Sequence, residues 1–146
     1  MMIRDLVNAD ALPTLAASMR FAARRQPLIA NNIANISTPD FRPTDVSPRR
    51  FQESLAKAVD ERRDRFGGVR GELNLESTRE IRVDGRGGFD LRPTPIGDNV
   101  LFHDRNDRDL ERLLQSQTEN LAAFRVSAQL FRSRMDLLNS AISERV

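Results

Sequence analysis

The sequence predicts a mainly α protein, in which long N- and C-terminal heptad helices pack as a coiled-coil or helical hairpin around a loop-rich middle. Three observations carry this. An apolar seam with 3-4 spacing runs through the first 36 residues. A longer seam of the same spacing fills the last 37. Between them, glycine and proline recur at Gly67-Gly68, Gly71, Gly85, Gly87-Gly88, Pro93, Pro95 and Gly97, with apolar residues thinly spread.

The N-terminal seam comprises Leu12, Leu15, Met19, Ala22, Gln26, Ile29, Ile33 and Ile36. Asp10 suits an N-cap, and Pro13 falls in the first turn, where it displaces no intrahelical donor. Pro39 pushes Thr38 out of the helical region, so the helix should stop near Ile36. Pro27 lies inside it and removes one backbone bond, which predicts a kink beside Gln26. The C-terminal seam runs Leu110, Leu114, Gln117, Leu121, Phe124, Ala128, Phe131, Met135, Leu138 and Ile142, with Asn106 or Asp107 to cap its start. The middle opens with a helical candidate over residues 47–59, carrying Phe51, Leu55 and Val59 at i, i+4 and i+8. Residues 80–84 and 89–91 alternate like short strands, and Gly85-Arg86-Gly87-Gly88 between them would turn a hairpin. The chain thus divides into residues 1–41, an irregular middle at 42–105 that is too polar for a substantial core of its own, and 106–146. The two ends form one assembly domain.

Composition excludes several function classes. At 146 residues there is room for one modest domain. Charged residues make up 30% and the mean hydropathy is −0.50, with no apolar run to span a bilayer. The first residues lack the pattern of a cleaved secretory signal. There is no cysteine, which removes disulfides, zinc ribbons and thiol chemistry. His103 is the sole histidine, so no Ser–His triad can be drawn. With Asp98, Asp104 and Asp107 it reads as solvated surface and not as a metal site. Gly85–Gly88 lacks the Lys-Ser/Thr of a phosphate loop. Neither an enzyme nor a cofactor is expected. The pI near 10.2 invites a nucleic-acid reading. Yet residues 1–41, 42–97 and 98–146 carry +1, +2 and −1, with acid interleaved throughout. No one-signed stripe follows a phosphate backbone. The Arg-rich middle reads by default as solvated disorder, the alternative being a charged contact surface within an assembly.

Each seam buries one stripe, and each helix needs a partner along its length. A hairpin within one chain and pairing across subunits both satisfy the periodicity. Gln26 and Gln117 would fix register at some cost in stability. Asn31 and Asn35 lie one turn apart, with Asn32 beside them. Amides at a helix end can donate to its unpaired carbonyls, or meet a neighbouring backbone as paired donor and acceptor.

Residues 25–42 read Arg-Gln-Pro-Leu-Ile-Ala-Asn-Asn-Ile-Ala-Asn-Ile-Ser-Thr-Pro-Asp-Phe-Arg. This resembles the N-terminal signature of bacterial flagellar rod and hook proteins. The match falls on Asn32-Ile33-Ala34-Asn35 and Thr38-Pro39-Asp40-Phe41-Arg42, preceded by Arg25-Gln26 and followed by Asp45, Phe51 and Leu55. Asp40 stands where the family usually has glycine, and Phe41 where it has tyrosine. The length leaves no space for the large β-rich domain of distal rod and hook members. Asp98-Asn99-Val100 and the ending Leu137-Leu138-Asn139-Ser140-Ala141-Ile142 resemble the FlgB type; residues 124–127 lack the aromatic-Gln-Ala-Asn stretch of the FlgC type. The resemblance implies a structural subunit of the proximal rod, exported by the flagellar type III apparatus without a cleaved signal and polymerising in the periplasm. It implies self-association and, as partners, rod subunits of FlgC, FlgF and FlgG types and a FliE-type rod-base protein, with no nucleic acid and no membrane insertion. It also implies that Asn31, Asn32, Ile33, Asn35, Thr38, Pro39 and Phe41 serve as an assembly motif. The alternatives are an FlgC-type rod protein, or an Arg-rich coiled-coil regulatory module whose mark would be steeply salt-dependent nucleic-acid binding.

Overall fold

The computed structural model describes residues 11–67, 70–84, 87–96 and 110–143. In chain order the elements are α1 (Leu12–Ala34), β1 (Thr44–Asp45), α2 (Pro48–Phe66), β2 (Ile81–Val83), β3 (Phe89–Leu91), β4 (Thr94–Pro95) and α3 (Leu110–Ser143). The fold is mainly helical, with α1 packed along α3 and two small antiparallel sheets in the middle, as the sequence predicts.

α1 begins with Pro13 in its first turn and Ala11 as the flanking residue. The expected cap, Asp10, lies outside the described residues, as do Asn106, Asp107, His103 and the Asp98-Asn99-Val100 segment. The helix continues through Pro27. Pro27 and Ala23, whose carbonyl it leaves without an intrahelical donor, are both exposed, so water can take that bond.

α2 is longer than the periodicity suggests. Ser47 caps its start by accepting the Arg50 N–H at 3.3 Å, and Pro48 follows at the first helical position. Gly67, in the left-handed region with φ of 72°, closes it by donating to the Arg63 carbonyl. The last turns carry no apolar stripe, which is why the pattern appears to end at Val59. They are sustained by polar means. Glu61 pairs with Lys57 and Arg65 at i,i+4 spacing, and Arg62, only 4% exposed, donates from Nε to the Arg70 and Gly71 carbonyls.

The middle does not lie solvated beside the helices. Phe51 and Leu55 of α2, Val46, Ile81 and Phe89 join Ala17 and Phe21 of α1 in one apolar cluster. Phe21 and Phe51 stack with ring centroids 4.1 Å apart, and Phe89 meets Phe51 at 5.8 Å. A middle too polar to make a core alone borrows half of one from α1. The hairpin at its edge follows the predicted alternation, with Ile81 opposite Leu91 and Val83 opposite Phe89. The pairing of β1 with β4, Thr44 opposite Pro95, was not foreseen; two-residue strands leave no alternation to read.

α1 therefore has two apolar faces. Ala17 and Phe21 point to the middle, while Ala22 and Gln26 of the predicted seam meet α3. Deleting the Phe51 ring should cost about 3–5 kcal/mol, the usual range for Phe→Ala in a core. A Phe51→Ala variant is expected to show that loss in chemical denaturation. A midpoint unchanged from the parent would mean that the middle contributes nothing to holding the fold.

Candidate assembly surface

The matched helix-end motif divides into an inward and an outward half. Asn32 is 1% exposed and donates from Nδ2 to the Thr44 carbonyl at 2.8 Å, while the Thr44 N–H donates to its Oδ1 at 3.1 Å. The amide acts as a strand partner, holding β1 on the helix. About two turns earlier, Arg25 grips Asp45 with both Nε and Nη2, at 2.9 and 2.5 Å, and Asp45 also accepts the Val46 N–H. Arg25 and Asp45 are 20 residues apart in sequence, and both fall on motif positions. Planar bidentate pairing of this kind fixes geometry as well as charge. Arg50 and the Ser47 N–H meet the buried Glu80 carboxylate, which ties the start of α2 to the hairpin.

The outward half is Asn31, Asn35 and Thr38. Asn35 donates from Nδ2 to both the carbonyl and the Oδ1 of Asn31, and its backbone N–H reaches the same carbonyl. Thr38 donates to Asn35 Oδ1 at 3.4 Å. Ile33, Ile36 and Phe41 are half-buried, whereas Asn31, Thr38 and Pro39 are exposed. Asp40 has φ of 58°, the left-handed conformation that glycine takes most easily and that Asp tolerates better than most residues. This accounts for the glycine usual there in the family that the motif resembles.

Along α3 the covered face differs from the predicted seam at its start. Leu113 and Asn120 are buried, with Gln117 half-buried between them, while Leu114 and Leu121 are 46% and 40% exposed. From Phe124 onward Phe124, Ala128, Phe131, Met135 and Leu138 are half-buried; Leu110 and Ile142 are exposed. On α1, Leu12, Ala22 and Ile29 are buried and Leu15, Met19 and Ile33 half-buried. A periodicity argument counts apolar residues, and α3 has more of them than one partner helix can cover. A second set, Val126, Leu130 and Leu137, is 50–59% exposed. At 100° per residue it lies roughly 80–140° around α3 from Leu113 and Asn120, on the flank of the helix. The periodicity does not point to Asn120, since an Asn one position before an apolar seam residue gives no periodic signal.

Among the described residues no group of His, Cys, Asp and Glu could hold a metal, and no helix is long and apolar enough to cross a membrane. Lys57 and Glu76 pair at 2.7 Å in full exposure. Their hydrogen bond, then their charges, raise the ammonium pKa and lower that of the carboxyl. Such a surface pair favours the folded state above the unfolded carboxyl pKa and loses that contribution as pH falls through the lowered folded value.

A helical subunit whose longest helix displays apolar residues on more than one side has the surface of a protein that associates with other chains. No family model matches the chain. Over 100 residues it is 31% identical to the flagellar basal body rod protein FlgB of Borrelia hermsii, an alignment covering 66% of this chain and 68% of the relative. The chain belongs to the FlgB family of flagellar basal body rod proteins, in agreement with the motif at residues 25–42.

The two halves of the motif predict unequal mutational costs. Asn32→Ala leaves a backbone donor and acceptor of Thr44 unpaired and should destabilise the subunit by about 2–4 kcal/mol. Asn35→Ala, at an exposed helix end, should cost about 1 kcal/mol or less. Urea denaturation of both variants measures the difference; equal costs would place Asn35 in the same internal role as Asn32.

Proposed function

We propose that the protein is a structural subunit of the proximal flagellar rod that polymerises through α1 and α3, forming part of the periplasmic drive shaft for motility. Family membership supports the rod role. The observation that carries the polymerisation is the exposure of Leu110, Leu114, Leu121, Val126, Leu130, Leu137 and Ile142 on one helix. An apolar helix surface of that extent is stable only when neighbouring helices cover it. Torque would pass through packed side chains, and nothing in the role calls for catalysis or a cofactor.

The partners we assign are further copies of this chain, rod subunits of FlgC, FlgF and FlgG types, and a FliE-type rod-base protein. The route is the flagellar type III export apparatus, which delivers the chain unfolded and without a cleaved signal. Asn31, Thr38 and Pro39 are exposed with Asn35 half-buried beside them, and we assign Asn31, Asn35 and Thr38 to contacts with adjacent chains. Asn32 and Arg25 serve assembly indirectly, by holding the subunit's shape. Phe131 and Met135 are half-buried, and we assign them a role shared between subunit and assembly.

Substitution of exposed leucines separates folding from assembly. Leu130→Asp/Leu137→Asp replaces residues that α1 does not cover, so the isolated subunit should keep its stability within about 0.5 kcal/mol per site. In cells, at normal export, burying two unpaired carboxylates at every subunit contact should abolish rod formation and motility. Wild-type motility and normal basal bodies in this strain would sink the proposed assembly surface.

A further inference from the structure

Asn120 is 4% exposed, in the middle of the α1–α3 contact. Its Nδ2 donates to the Ala22 carbonyl at 2.9 Å and to Gln26 Oε1 at 2.9 Å. Ala22 and Gln26 are both seam positions, four residues apart on α1, so one amide spans a full turn of the partner helix. Buried or half-buried apolar residues flank them along both helices: Leu15, Met19, Ile29 and Ile33 on α1, and Leu113, Phe124 and Phe131 on α3.

Two heptad seams can slide past each other by seven residues and still set apolar side chains against apolar side chains. Slipped in one direction, Asn120 would face Leu15 and Met19; slipped in the other, Ile29 and Ile33. The backbone carbonyl of Leu15 or Ile29 could replace that of Ala22, but neither pair offers an amide oxygen in place of Gln26 Oε1. A buried amide without its partners is costly, so the slipped alignments are penalised at this one point. Pairing between polar residues at single seam positions is the best-attested use of buried polarity in helix bundles.

We propose that Asn120 and Gln26 form a register lock that sets the axial position of α1 on α3. Resting on the rod reading above, the lock then has a consequence for assembly. The Phe21–Phe51 core fastens the middle to α1, while the uncovered leucines belong to α3. A one-heptad slip would displace one relative to the other by about 10 Å, at 1.5 Å per residue. Asn120 and Gln26 are thus positioning residues for every later subunit contact.

The test uses the isolated subunit and needs no rod. The chain has no native cysteine, so Ala23→Cys and Arg125→Cys, both at exposed positions, accept spin labels without background. Labelled protein diluted in excess unlabelled chain reports distances within one chain by double electron–electron resonance. The otherwise native sequence should give one narrow distance. Gln26→Leu/Asn120→Leu removes both partners together, so neither is left unpaired and the helices stay packed. In that background a second population, displaced according to the axial slip of about 10 Å, is expected with the helix signal and denaturation midpoint retained. A single unchanged distance would overturn the lock, because the apolar seam alone would then set register. Loss of helix signal would overturn it too, since the pair would then hold the helices together and not choose between alignments. Either failure leaves the leucine test of rod assembly untouched, and a motile Leu130→Asp/Leu137→Asp strain says nothing about register.

Discussion

Everything in this structure depends on the double use of α1. A helix of 23 residues normally buries one stripe, yet α1 gives Ala17 and Phe21 to the core with α2 and the hairpin, and Leu12, Ala22 and Ile29 to the contact with α3. Neither neighbour could bury its own apolar surface without it. The middle has Phe51, Leu55, Ile81 and Phe89 but no layer of its own to close them, and α3 has more apolar surface than any single helix covers. α1 thus couples two bodies that are separate in sequence. A change in its interior reaches both.

That coupling explains the polar residues buried around it. Arg25 with Asp45, Asn32 with Thr44, and Asn120 with Gln26 all attach something to α1 by paired, directional bonds. Buried polar pairs of this kind add little net stability compared with well-packed apolar groups, and they penalise every other alignment heavily. Apolar faces hold the neighbours on α1, and polar pins decide where along it they sit. In the polymer proposed above, an error in placement would be repeated at every copy, which would give directional bonds a use that stability alone does not.

The long elements were legible because length reinforces periodicity: both terminal helices, the stop before Pro39 and the hairpin at 81–83 and 89–91 follow from spacing and turn residues. The core of the middle was not legible. Its half from α1 sits at Ala17 and Phe21, off the heptad positions that draw the eye, and the last turns of α2 rest on ion pairs and the buried Arg62. Asn32 illustrates the limit from the other side. A helix-end amide was foreseen as a paired donor and acceptor for a neighbouring backbone, but sequence alone does not say whose backbone. Its partner is Thr44 of the same chain.

The disagreement between the apolar seam of α3 and the face it turns to α1 is informative in itself. Where the two coincide, from Phe124 to Leu138, side chains are half-buried, and the helix needs nothing beyond its own hairpin to account for them. Where they part, at Leu114 against Leu113 and Leu121 against Asn120, α1 takes the polar or adjacent residue and leaves the leucines outside. Local propensity cannot explain leucines at those exposed sites, since Glu, Lys or Gln make equally good helix and better surface. Breaks in an otherwise consistent pattern concentrate at functional or strained sites. On the rod reading proposed above, what completes the pattern is another subunit, and the exposed leucines of α3 are the place to look for it.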